Sequence, residues 1–64
     1  MTATEERKLR YEIALVERTK PMFVDIEHVN ELGNGERKIF CKVKGLKLTV
    51  LMRGYNVLAT MVRV

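Results

Sequence analysis

Residues 36–53 read ERKIFCKVKGLKLTVLMR and form two alternating runs on either side of Lys44-Gly45. Apolar and polar side chains that alternate at every second position are typical of β-strands with one buried face. A two-residue turn at Lys44-Gly45 places Val43 opposite Leu46, and the glycine supplies the positive φ angle that such a turn requires. The stretch therefore predicts a β-hairpin in a single register.

This register separates the hairpin into two faces of different chemistry. The face predicted to lie in the core carries Ile39, Cys41, Val43, Leu46, Leu48, Val50 and Met52. The other face carries Lys38, Phe40, Lys42, Lys47, Thr49 and Leu51. A shift by one residue would bury Lys42 and Lys47, so the pattern specifies the register strongly.

The chain has 64 residues, 47% of them hydrophobic and 31% charged, which is typical of one small globular domain. A chain of this size buries only about 60% of its unfolded surface, so its core is marginal. A single cysteine excludes an intrachain disulfide. Oligomerisation or docking on a partner is then the expected source of additional stability.

Charge is distributed unevenly along the chain. Residues 1–32 carry five basic and seven acidic side chains, whereas residues 33–64 carry seven basic and one acidic side chain. The net charge of +4 therefore originates in the C-terminal half, which contains the predicted hairpin.

The sequence contains no apolar run close to the roughly 20 residues that span a bilayer, and no signal-peptide pattern at its start. A lone cysteine suits a reducing compartment. We expect a cytoplasmic protein that does not contact a membrane.

The N-terminal segment predicts a helix over about residues 3–18. Thr2 and Glu5 have the spacing of a capping box, and Leu9, Ile13 and Val16 recur on one helical stripe. Pro21 is expected to end the helix. Residues 9–15 also alternate as a strand would, and that alternative predicts a five-stranded small β-barrel.

Four strands are predicted after the helix, over about residues 22–29, 36–44, 46–53 and 55–63. The expected fold is α+β, with one N-terminal helix packed on a four-stranded, mostly antiparallel meander. The pattern over residues 21–32 is also compatible with a helix, which would give the order β-α-β-β-β. In the last strand, a turn at Arg53-Gly54 predicts core positions for Tyr55, Val57, Ala59 and Met61, with Leu58 and Val62 on the opposite face.

No group of residues predicts an enzyme. His28 is the only histidine, and a regular strand would place Asp25 and Glu27 on the face opposite to it. Cys41 lies on the predicted core face without an activating base, so we interpret it as a buried hydrophobic residue. We expect no catalytic residue, no metal site, no cofactor and no small-molecule substrate.

The basic face of the hairpin is one candidate interaction surface. Cations attract phosphates and an exposed aromatic ring can stack on an unpaired base, which is how sheets bind single-stranded nucleic acid. Lysines also protect exposed strands from aggregation without any further role. The candidates for nucleic-acid binding are Arg37, Lys38, Phe40, Lys42, Lys44, Lys47 and Arg53.

Surplus apolar surface is the other candidate, because contiguous exposed apolar residues mark interaction sites. The protein-interface candidates are Tyr11, Leu15, Leu51, Leu58 and Val62. Two functional hypotheses result from these surfaces. The first is a small non-enzymatic interaction or regulatory protein that self-associates or docks on a larger protein, and the second is a nucleic-acid-binding module.

Overall fold

The computed structural model describes residues 2–63 and contains one α-helix packed on a four-stranded antiparallel sheet. The elements in chain order are helix α1 (Ala3–Val16), a 3₁₀ turn (Pro21–Phe23), and strands β1 (Val24–Gly33), β2 (Glu36–Val43), β3 (Leu46–Arg53) and β4 (Asn56–Val62). The strands lie in the sheet in the order β1-β2-β3-β4. The predicted α+β meander is confirmed, and residues 9–15 lie in a helix rather than in a fifth strand.

The central hairpin has the predicted register. Val43 pairs with Leu46, and the pairing continues without interruption from there to the far ends of both strands. Lys44 and Gly45 have φ angles of 52° and 83°, as both central residues of a type I′ turn do. A type I′ turn matches the right-handed twist of the strands that it joins. It requires positive φ angles, which Gly45 adopts without strain.

The helix covers one face of the sheet and forms the core with it. The buried residues are Leu9, Ile13, Ala14, Val24, Ile39, Cys41, Val43, Leu48, Val50 and Met52. Leu46 was predicted to be buried but is 57% exposed, although Val43, its cross-strand partner beside the hairpin turn, is buried. The predicted core face of the hairpin is otherwise correct.

The predicted helical stripe is wrong at its third position. Val16 is 48% exposed, and Ala14 is buried in its place. The chain turns back past Ala14 after the helix, and the Thr19 N–H donates to the Ala14 carbonyl at 2.9 Å. Leu9, Ile13 and Ala14 therefore define the buried side of α1, and Val16 lies outside it at the last position of the helix.

The two ends of α1 differ in how well the sequence predicted them. At the start, the Glu5 N–H donates to the Thr2 hydroxyl at 3.1 Å, which confirms the capping box. At the end, the helix stops at Val16 and not at residue 18 before Pro21. Arg18 adopts a positive φ of 53° and the chain leaves the helix in a Schellman-type turn.

Strand β1 contains a bulge that the alternation did not reveal. Ile26 pairs with Cys41 and His28 pairs with Phe40, so Glu27 is an extra residue. An extra residue reverses the facing of every position after it until the next irregularity. The predicted separation of Asp25 from His28 is therefore wrong: both lie on the face away from the helix, and Val29 lies on the helix side.

The predicted register of the last strand is also wrong. Arg53 pairs with Asn56, so the turn residues are Gly54 and Tyr55. Gly54 takes the first turn position with a φ of 60°, where an arginine would be strained. Leu58 is then an extra residue in the pairing with β3.

The extra residue at Leu58 reverses the facing of the second half of β4, whereas Val57 before it keeps its predicted side opposite Met52. Ala59 and Met61 pair with Leu51 and Thr49 and lie on the face away from the helix. Val62 pairs with Leu48 and lies on the helix side. The predicted core positions of Ala59 and Met61, and the predicted outer position of Val62, are both incorrect.

We predict that Ile13→Ala lowers the free energy of unfolding by about 2–5 kcal/mol, because it leaves a cavity between helix and sheet. The matched control is Leu15→Ala, which truncates a half-exposed residue on the same helix and should change stability by less than about 0.5 kcal/mol. Urea denaturation followed by circular dichroism measures both. Equal losses for the two variants would contradict the observed orientation of α1.

Candidate interaction surfaces

The sheet face away from α1, here called the outer face, is not covered by any element that the structure describes. From β1 to β4 it carries Asp25, His28, Lys38, Phe40, Lys42, Lys47, Thr49, Leu51, Ala59 and Met61. On the two central strands Lys38, Phe40, Thr49 and Leu51 are partly shielded, whereas Lys42 and Lys47 are as exposed as the residues on β1 and β4. Polar and apolar groups are mixed on this face.

Arg63 lies across the outer face and connects the end of β4 to β1. Its guanidinium donates to the Glu27 carboxylate at 2.8 Å and to the Cys41 carbonyl at 3.0 Å. The same guanidinium lies 5.3 Å from the centre of the Phe40 ring. The bulge at Glu27 makes this contact possible, because it turns the carboxylate towards the outer face.

The hydrogen bond from Arg63 is the main reason that the pKa of Glu27 is lowered from its usual value of 4.5. Burial opposes this hydrogen bond as the second-largest effect, and the positive charges of Arg63, Lys42 and Lys47 each lower the pKa further. Glu27 therefore neutralises part of the basic character of the outer face.

Phe40 is occupied by contacts within the chain. Arg63 lies over its ring, and the His28 ring is 6.0 Å away at an angle of 32°. A base that stacked on the side of the ring that faces Arg63 would have to displace the guanidinium and break its bond to Glu27. The structure thus places Phe40 on the predicted face, with one side of its ring covered by Arg63 and another part lining a shallow groove with Leu51 and Met61.

The lysines of the outer face differ from its arginines. Within residues 2–63, Lys38, Lys42 and Lys47 form no ion pair. Lys42 pairs directly with Lys47 across the two strands, an arrangement in which like charges repel each other. Lys44 lies beside them in the turn. Lys42, Lys44 and Lys47 are the part of the predicted nucleic-acid surface that the structure brings together, whereas Lys38 lies farther along β2, opposite Leu51.

Arg37 and Arg53 do not belong to that surface. Arg37 lies on the helix side, where it contacts the carboxylates of Glu31 at 3.3 Å and Glu5 at 3.7 Å. Arg53 is paired with Glu36 at 2.9 Å. Both charges are compensated locally, so neither arginine adds to the basic field around the lysines.

The predicted protein-interface residues lie in three separate places. Tyr11 and Leu15 are half exposed on the solvent side of α1. Leu51 lies on the outer face of the sheet. Leu58 and Val62 belong to β4, where Leu58 is the extra residue of the bulge. They cannot form one continuous surface, and only the β4 residues lie at an edge of the sheet.

An open groove beside α1 was not predicted from the sequence. It has a volume of about 660 Å³ and is lined by Arg7, Lys8, Arg10, Tyr11, Glu12, Pro21, Met22 and Tyr55. Lys8 lies 5.3 Å from the centre of the Tyr55 ring. The groove combines an apolar floor with a basic rim, and its parts come from distant segments of the chain.

The two edges of the sheet are protected to different extents. β1 is interrupted by two irregularities and carries Asp25, Glu27 and Glu31. Charges and bulges of this kind prevent an edge strand from pairing with another chain. β4 has the sequence NVLATMV, which contains no charged residue and no proline, and Met61 and Val62 are 68% and 59% exposed. The open side of β4, here called the β4 edge, is the less protected edge.

Backbone hydrogen bonds identify which groups of β4 point outwards. The Arg63 N–H donates to the Lys47 carbonyl at 2.8 Å. Bonded and non-bonded pairs alternate along an antiparallel ladder, so the N–H and C=O groups of Thr60 and Val62 point away from β3. Because β4 is the last strand of the sheet, these groups face solvent. The sequence did not reveal them because its predicted register was shifted.

The chemistry of the remaining reactive side chains is limited. Cys41 is fully buried, and burial raises the pKa of its thiol to about 11. Within residues 2–63, no group of three or more histidine, cysteine, aspartate or glutamate side chains could hold a metal ion. No helix in the same range is long and apolar enough to cross a membrane.

Comparison with known proteins finds no matching family model, no matching curated protein and no matching solved structure. A function for this chain must therefore be inferred from its own surfaces.

We predict that Glu27→Gln destabilises the protein at pH 7 and that this difference decreases in acid. The native pKa of Glu27 is lowered, so its contribution to stability is complete above about pH 4.5 and is lost as the pH falls through the native value. Thermal unfolding between pH 2.5 and 7 measures the effect. The control is Glu12→Gln, which lies on α1 outside the ion pairs described here. A difference that stays constant with pH would contradict the Arg63–Glu27 interaction.

Proposed function

We propose that this chain is a non-enzymatic interaction domain that binds protein at its β4 edge by strand addition. The observation that carries the proposal is that β4 is an uncharged, exposed strand at the edge of the sheet, whereas β1 is interrupted and acidic. Strand addition gains affinity from main-chain hydrogen bonds and selectivity from the side chains on either side of the edge.

Both contributions are available at the β4 edge. The outward backbone groups of Thr60 and Val62 offer hydrogen bonds to an added strand. On the outer face, Met61 lies beside a shallow groove with Leu51 and Ala59. On the helix side, Val62 and Leu46 are both more than half exposed. An added strand would cover apolar side chains on both faces, at about 25 cal/mol per Å² of apolar area.

The rest of the molecule suits a regulatory or adaptor role in the cytoplasm. Cys41 is a free, buried cysteine, and unpaired thiols of this kind are typical of proteins from reducing compartments. The core is small, so binding of a partner would add to the stability of the domain. In this proposal the domain contributes no catalytic group and acts only by binding.

We predict that Thr60→Lys removes a partner that the wild-type chain retains. The substitution adds a charge to the β4 edge beside the outward backbone groups, which disfavours pairing with a further strand. Affinity capture from the native host, with quantitative mass spectrometry, compares the proteins retained by each bait. An untagged copy of the chain is included in the analysis, so that self-association is counted as well.

The matched control for this experiment is Asn30→Lys, which places the same charge on the opposite edge strand β1. Proteins retained by the wild type and by Asn30→Lys but lost by Thr60→Lys support the proposal. Identical sets of retained proteins for all three baits would contradict it. Circular dichroism confirms beforehand that each variant is folded.

Nucleic-acid binding on the outer face is the second candidate function. It is favoured by the direct pairing of Lys42 with Lys47, since this repulsive pair is relieved by a bound phosphate. It ranks second because Arg63 occupies the Phe40 ring and because Glu27 reduces the positive field. Phosphate contacts are then its main source of affinity, because Arg63 restricts stacking to the part of the Phe40 ring that lines the shallow groove.

For this second function we predict a salt-dependent mobility shift with single-stranded oligonucleotides at low ionic strength. Lys42→Glu together with Lys47→Glu should abolish the shift, because both phosphate contacts are removed. Lys8→Glu and Lys20→Glu change the net charge equally without altering the outer face, so they serve as the control. Absence of any shift at low salt would reject the function, since phosphate contacts are strongest there.

A further inference from the structure

We propose that the partner at the β4 edge is a second copy of this chain, paired antiparallel about a twofold axis through Met61. This inference rests on the proposed strand addition and names its occupant. An isologous contact of this kind uses the same surface on both copies, and it closes after two. The product is a dimer with one continuous eight-stranded sheet.

The backbone of β4 determines where the twofold axis lies. Thr60 and Val62 direct their N–H and C=O groups outwards, and Met61 between them does not. An axis through Met61 places Thr60 opposite Val62 of the second copy. Because of the symmetry the reverse pair forms as well, so each copy donates and accepts two hydrogen bonds. No outward group in this part of β4 is left without a partner.

The bulge at Leu58 limits the alternatives. Before Leu58, the alternation of inward-pointing and outward-pointing backbone groups along β4 is shifted by one residue relative to that at Thr60 and Val62. A register centred closer to Leu58 would therefore bring irregular backbone into the ladder. The regular part of the strand beyond the bulge is short, and an axis through Met61 uses it symmetrically.

The side chains on both faces suit this arrangement. Met61 meets Met61 of the second copy on the outer face, and methionine adapts well to irregular apolar contacts. Thr60 meets Val62 of the second copy on the helix side. The exposed side chains of Leu46 and Val62 lie on that same side and provide apolar surface around the ladder.

Charge opposes a contact between two copies less at the β4 edge than at the opposite edge of the sheet. Each copy carries a net charge of +4, so most contacts between two copies bring like charges together. β4 has no charge of its own, and the nearest cation, Arg63, is bonded to Glu27 of its own chain. The acidic residues of β1 would oppose each other in the equivalent contact at that edge. Two copies therefore meet at β4 with less repulsion than at β1.

A stable dimer needs a larger buried area than the paired strands alone provide. A stable interface buries about 800 Å² on each partner, which is nearly a fifth of the 4485 Å² surface of this chain. Pairing of the backbones supplies only part of this area. The apolar residues on both sides of β4 must supply the rest, which is why the exposure of Met61, Val62 and Leu46 matters here.

Sedimentation velocity over a series of concentrations tests the dimer. We expect the wild type to sediment as a dimer at high concentration and Thr60→Lys to require at least about tenfold more protein to dimerise. Asn30→Lys carries the same added charge on β1 and should dimerise as the wild type does. A wild type that remains monomeric at all concentrations overturns the inference, and so does an equal effect of the two lysine variants.

Crosslinking tests the position of the axis independently. Met61→Cys brings two thiols within about 5 Å across the axis, so a short bismaleimide should join the two copies rapidly. Asn30→Cys is the control and should give no dimer above the background of the wild type, whose Cys41 is buried. Equal crosslinking at both positions overturns the pairing. A monomeric chain that still captures a foreign protein in a Thr60-dependent manner would reject the dimer while keeping the proposed strand addition.

Discussion

The register of the hairpin between β2 and β3 is the constraint on which the rest of the structure depends. Two positive φ angles, at Lys44 and Gly45, align the strands so that every second residue enters the core. The buried half of that hairpin forms the surface on which Leu9 and Ile13 of α1 pack. A one-residue slip would exchange this surface for lysines, and no core of this size could tolerate that. The helix and both outer strands are positioned by this alignment.

The functional character of the surface follows from an imbalance between the two edges of the sheet. A four-stranded open sheet has two edges, and this chain protects only one of them with charges and bulges. The other edge presents the outward backbone groups of Thr60 and Val62 between apolar side chains. Small domains bury little surface by themselves, so an unprotected edge offers additional stability through association. In the proposed strand addition, stability and binding are thus connected.

The arginines and the lysines of the sheet differ in their surroundings. Arg37, Arg53 and Arg63 each contact a carboxylate, as planar guanidinium groups commonly do. The lysines of the hairpin remain solvated around the turn. A net charge of +4 therefore overstates the positive field on the outer face, because Arg63 and Glu27 compensate each other in the middle of it. This arrangement is why the apolar edge, rather than the basic face, leads the functional proposal.

The sequence by itself determined the start of α1, the central hairpin and the α+β meander, since each depends on neighbouring residues. The capping box at Thr2 and the turn at Lys44 are local signals of this kind. The candidate site was predictable only in part: Val62 was identified, but its facing was not. The bulges at Glu27 and Leu58 arise from pairing with an adjacent strand, and Arg63 meets Glu27 across 36 positions of the chain. Only the tertiary structure decided these features, because a single extra residue reverses the facing of a strand without altering its composition.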